Sequence, residues 1–105
     1  MPTRTPTISF QQLRNVCERW TWRDPRTGVT VTGYNPPPDA ADRRQKPFYV
    51  RYVTGKGHLE QGEVICLKVF PELHQRMVKF TASGEVRRLR DYLIISVDGL
   101  RVVTH

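Results

Sequence analysis

The sequence predicts a small α+β domain, mostly β, in which one N-terminal helix packs on a short-stranded antiparallel meander, a twisted sheet or a partly open barrel. Three observations carry that reading. Apolar residues recur at helical spacing only once, between Phe10 and Trp20. From Phe48 onward the hydrophobic period drops to two. Glycine-bearing turn signals then cut the second half into pieces of strand length. A chain of 105 residues fits a single domain, 1–105, with one modest core.

Residues 1–8 read as a flexible lead, because Pro2 and Pro6 interrupt regular structure. Ser9 reads as an N-cap, and Gln12 three positions later completes a capping box. Phe10, Leu13, Val16, Cys17 and Trp20 then form one apolar stripe, so the spacing predicts a helix over 9–20. It must stop before Asp24-Pro25, since the residue ahead of a proline avoids the α region. Residues 24–28 have turn chemistry, and the β-branched run between Gly28 and Tyr34 predicts a first short strand. Residues 35–47, with three consecutive prolines and a polar remainder, read as a proline-rich loop without secondary structure.

The later strands are expected at 48–54, 63–70, 76–82, 85–90, 92–97 and 100–104. Gly55-Lys56-Gly57, Gly62, Pro71-Glu72, Ser83-Gly84 and Asp98-Gly99 are the expected dividers. Asp98-Gly99 is the strongest hairpin signal, because a type I′ turn needs positive φ at both central residues. A two-residue turn at Ser83-Gly84 would set Lys79 directly opposite Arg88. Such a like-charge pair is destabilising unless an anion lies over it.

Composition narrows the function classes. The formal net charge is +7, from 17 Lys and Arg against 10 Asp and Glu, and arginine supplies most of the cations. That excess favours polyanionic partners, and arginine favours bidentate contacts to phosphate or carboxylate. No apolar run has the roughly 18 residues that span a bilayer, and the N-terminus lacks the apolar stretch of a signal peptide. A cytoplasmic protein is expected. Cys17 and Cys66 fall in apolar patterns, as buried free thiols do.

Signals for chemistry are sparse. His58, His74 and His105 are scattered in turns and at the terminus, with no spacing that suits a metal. No nucleophile sits beside a recognisable base, and the neighbours of Cys66 argue for an inert thiol. Gly55-Lys56-Gly57 lacks the rest of a phosphate-cradling loop and reads as a hairpin tip. Neither an enzyme, a metal site, a cofactor nor a small-molecule substrate is expected.

The cations are more informative. Arg43, Arg44 and Lys46 crowd the end of the proline-rich loop, and Arg87, Arg88 and Arg90 crowd one strand beside Arg76 and Lys79. With Tyr49 or Trp22 as a stacking aromatic, Arg43, Arg44, Lys46, Lys79, Arg87, Arg88 and Arg90 are the candidate nucleic-acid contacts on a basic strand face. The alternative is a protein-interaction or structural module that uses the proline-rich loop or a sheet edge.

The stretch from Tyr34-Asn35-Pro36-Pro37-Pro38-Asp39 to Leu93-Ile94-Ile95-Ser96-Val97-Asp98-Gly99 resembles small uncharacterised proteins carried by phages and integrative elements of gut bacteria. The resemblance implies a mobile-element context and assigns no residue a role. The expectation is a non-catalytic nucleic-acid-binding accessory domain of a mobile element.

Overall fold

The computed structural model describes residues 6–103. Among the described residues ten strands form two sheets. The larger has the order β1-β10-β9-β5-β6-β7-β8 and the smaller the order β3-β2-β4. The strands are β1 (Thr7–Ser9), β2 (Trp20–Arg23), β3 (Thr30–Gly33), β4 (Ala41–Gln45), β5 (Phe48–Val53), β6 (Leu59–Phe70), β7 (Gln75–Phe80), β8 (Val86–Arg90), β9 (Ile94–Val97) and β10 (Leu100–Val103). Neighbours in both sheets are antiparallel except β1, which runs parallel to β10.

The N-terminal helix is much shorter than expected. The capping box forms, with Gln12 N donating to Ser9 Oγ and Ser9 N donating to Gln12 Oε1, each at 3.2 Å. It opens only a 3-10 turn (Phe10–Gln12) and the single-turn helix α1 (Arg14–Cys17). Leu13, Val16 and Cys17 are buried as the stripe requires, but Trp20 belongs to β2 and is only half-buried. One helical turn is marginal by itself, and Trp20-Thr21-Trp22 favours extended structure with partners on both sides.

The flexible lead expected over 1–8 is contradicted at Thr7 and Ile8. Positions 1–5 lie outside the described residues, but Thr7–Ser9 pair with Arg101–Val103 and Ile8 is buried. The proline-rich loop is also shorter than 35–47. Its second half is β4, which pairs with β2, because that strand's second edge offers hydrogen bonds to any extended backbone. A bulge in this pairing leaves Asp42 at a φ of 51° and 3.0 Å from Arg23.

Strands β5 to β8 are a meander, and β9 pairs with β5 rather than with β8. In a flat sheet β8 and β9 would lie about 19 Å apart, four strand spacings. The turn Asp91–Leu93 that joins them covers four Cα steps, which reach no more than about 14 Å even fully extended. The sheet therefore curls round on itself without closing, since β8 keeps one free edge.

One hydrophobic core fills the curl, built from Phe48, Val50, Tyr52, Val64, Val78, Leu89, Ile94 and Val97 with Ile8 and the α1 residues over it. Residues 18–47 contribute nothing to the buried core, so the three-stranded sheet is an appendage. Gly62 is not a divider. Strand β6 runs through it, and a Cβ there would stand 2.8 Å from the Phe80 ring, which packs on the bare backbone. Among the described residues no helix is long and apolar enough to cross a membrane.

The two hairpin signals fare differently. Asp98 and Gly99 both have positive φ, and Leu100 pairs with Val97 as a type I′ turn dictates. At Ser83-Gly84 only Gly84 has positive φ, so a two-residue turn does not form. A four-residue connection, Thr81 to Gly84, closes with Phe80 N donating to Glu85 O at 2.9 Å. The register moves by two. Lys79 faces Val86, Arg88 faces Met77, and the opposed like charges expected from a tight turn are absent.

Candidate nucleic-acid interface

Alternation along β8 sorts its arginines. Arg87 pairs with buried Val78 and lies on the core side, where its Nη2 is 2.5 Å from Glu85 and its Nε is 3.9 Å from Glu60. Arg88 and Arg90 point outward, opposite Met77 and Gln75. No carboxylate among the described residues comes within ion-pair distance of either.

Strand β6 supplies the rest of this face through a bulge at Leu67, between Cys66 and Lys68. Strict alternation would turn Lys68 inward behind Cys66. The extra residue reverses the phase, so that Val69 packs on the core while Lys68 and Phe70 emerge outside. Two rows then cross three strands, Lys68–Met77–Arg88 and Phe70–Gln75–Arg90. The Phe70 ring carries the Arg88 guanidinium at 4.1 Å and the Lys68 ammonium at 5.1 Å. The ring's electron-rich π-system attracts both cations and offsets part of their mutual repulsion.

Two cavities adjoin the surface. A groove of about 870 Å³ lies between β8 and the β5–β6 hairpin, lined by Arg88, Arg90, Lys56, His58, Arg87 and Glu60 among others. A cleft of about 200 Å³ lies at the base of the three-stranded sheet, where Arg14, Arg19 and Lys68 meet Glu18, Cys17 and Cys66. Lys68 lines the cleft and Arg88 lines the groove, and both sit on Phe70. The cations thus form one track: Arg14, Arg19, Lys68, Arg88, Arg90, Lys56.

The carboxylates that border the track are engaged internally. Glu60 accepts a hydrogen bond from the buried Tyr52 hydroxyl at 2.9 Å; burial, then Glu60, pushes that hydroxyl's pKa up to about 12. Glu18 accepts from Arg76 Nη1 at 2.7 Å. Arg76 is not part of a basic face. It turns into the core, 6% exposed, with its Nε 3.2 Å from Asp91 Oδ1 but not aligned for a hydrogen bond. Burial raises the Asp91 pKa against the pull of Arg76. Burial opposes the charge on Arg76, but the Glu18 hydrogen bond and neighbouring anionic groups outweigh it and its pKa is raised.

Of the other expected contacts, Arg43, Arg44 and Lys46 are exposed on or beside β4 and line neither cavity. Lys79 shares the outer face of β7 but sits opposite Val86. Trp22 lies over the backbone of Gly33, where a Cβ would meet its ring at 2.9 Å. Tyr49 sits on β5 opposite Glu63, its amide bonded to Asp98 Oδ1 at 2.7 Å. Sequence reasoning missed Lys68, Phe70, Arg14, Arg19, Lys56 and His58. Lys68 and Phe70 depend on a bulge that leaves no mark in the sequence, Lys56 and His58 reach Arg88 and Arg90 only through the curl, and Arg14 and Arg19 reach Lys68 only where the segment around α1 packs beside β6.

Both cysteines are free and buried, as expected. Burial pushes the Cys17 thiol up to about 12 and raises that of Cys66, so both stay protonated and unreactive near neutrality. Among the described residues no three His, Cys, Asp or Glu side chains gather as a metal site requires. No protein-family model, curated protein or solved structure matches the chain.

Proposed function

We propose that this chain is a non-catalytic nucleic-acid-binding domain, an accessory of a mobile element, that holds the sugar–phosphate backbone along its cationic track. The observation that carries the reading is the continuity of Arg14, Arg19, Lys68, Arg88, Arg90 and Lys56 across two cavities whose carboxylates face other partners. Dispersed cations on a soluble surface are normally interspersed with acids, and here the acids are withdrawn. Fluorescence anisotropy with labelled oligonucleotides at two salt concentrations tests it. Affinity should fall with a log–log slope near −0.7 to −0.9 per phosphate neutralised, and Arg88→Ala should reduce the slope by about one phosphate. Arg44→Ala should leave it unchanged. Millimolar or salt-insensitive binding overturns the reading.

A second reading rests on the free edge of β8. Its unpaired backbone groups border the larger groove, and an acidic extended peptide could add there as a further strand. Salt-dependent binding of an acidic peptide in place of any oligonucleotide would favour this alternative.

A further inference from the structure

Tyr92 is 64% exposed, yet it is not a loose surface ring. It stacks on Phe10 with centroids 4.6 Å apart and planes 24° from parallel, and His74 meets it edge-on at 5.4 Å. Phe10 in turn packs against the core, so the stack is rooted in the body of the protein.

The backbone beneath is equally fixed. Asp91 N donates to His74 O at 2.8 Å, and the Asp91 side chain is buried against Arg76. Tyr92 is therefore the outermost ring of a rigid aromatic pile, with little left to lose on ordering. Its place on the track matters most. Arg90 and Leu93 both line the larger groove, and Tyr92 stands between them in the chain. The adjoining strands bring Gln75, neighbour of His74, opposite Arg90.

The geometry points to Tyr92, backed by Phe10 and His74, as a base-stacking platform beside Arg90 on the phosphate track, which selects single-stranded over double-stranded nucleic acid. This inference rests on the phosphate-binding reading and goes beyond it. A duplex presents phosphates but keeps its base faces stacked inside, whereas a single strand lying on Arg88 and Arg90 has an unstacked base to place on the next exposed ring. Neither Tyr49 nor Trp22 has this position.

The test compares a labelled oligothymidylate with an abasic oligomer of equal length and equal charge. Wild-type protein should bind the thymidylate roughly 5- to 150-fold more tightly, the range that one stacked base supplies. Tyr92→Leu, which keeps an apolar cover on Phe10, should remove that advantage and leave abasic binding intact, while Tyr92→Phe should retain it. Equal affinity of wild-type protein for the two oligomers, or a Tyr92→Leu variant that still prefers thymidylate, overturns the stacking site alone. Failure to bind either oligomer at low salt overturns the phosphate reading and the stacking site together.

Discussion

Replacing Arg76 by methionine isolates the cost of the buried charge cluster that ties the segment after α1 to β7 and to the β8–β9 turn. The substitution conserves an unbranched apolar stem and deletes the charge shared by Glu18 and Asp91. Removing one partner of a buried ion pair costs about 3–5 kcal/mol. The Glu18 side chain keeps 30% of its surface in water and recovers solvation, whereas that of Asp91 keeps 9% and does not. The low end, about 3 kcal/mol near pH 7, is therefore expected, a fall in Tm of roughly 12 °C or more for a domain of this size. The sign of the pH dependence follows from Asp91. Its carboxyl is already raised above its ordinary 3.8 by burial, and losing the guanidinium raises it further. A carboxyl raised in the folded state favours folding most below its unfolded value, and that contribution is lost as pH rises through the folded one. The gap between wild type and Arg76→Met should then narrow as the pH is lowered towards 4. Urea unfolding at pH 7 and pH 4.5 measures both quantities, and the double variant Arg76→Met with Asp91→Leu should recover most of the loss at pH 7. A single variant within about 1 kcal/mol of wild type, or a gap that widens in acid, would refute the argument.

Two further outcomes follow from packing and titration. Gly62→Ala places a methyl 2.8 Å from the Phe80 ring and should cost about 1–3 kcal/mol by chemical denaturation, while Gly55→Ala, which meets nothing within 4 Å, should stay near neutral. For Cys17 the folded pKa of about 12 lies above the ordinary thiol value of 9.0, so its contribution to stability is complete below pH 9 and is lost as pH rises towards 12. Native protein should accordingly resist iodoacetamide at pH 8 and react once unfolded in urea, and rapid modification of folded protein at that pH would contradict the burial.

Much of the fold is local and was legible. The capping box at Ser9, the buried residues Leu13, Val16 and Cys17, the strand near Phe48–Val53 and the Asp98-Gly99 turn all follow from neighbours in the chain. The helix expected over 9–20 failed at its second half, because Trp20 suits both a helical stripe and a half-buried strand position. Strand β4 was illegible, since Ala41-Asp42-Arg43-Arg44-Gln45 has no apolar alternation and takes its shape from hydrogen bonds offered by β2.

Composition and local pattern determined that the protein is basic and mostly antiparallel β. Which cations share a surface was decided only by the tertiary structure. A four-residue connection at 81–84 moved the β7–β8 register by two, a bulge at Leu67 turned Lys68 and Phe70 outward, and the curl brought Lys56 to Arg88 and Arg90. The physical reason is that alternation reports which side of its own strand a residue occupies. Loop length, bulges and sheet curvature set the phase of one strand against the next, and they respond to backbone hydrogen bonding across the whole sheet rather than to any short run of side chains.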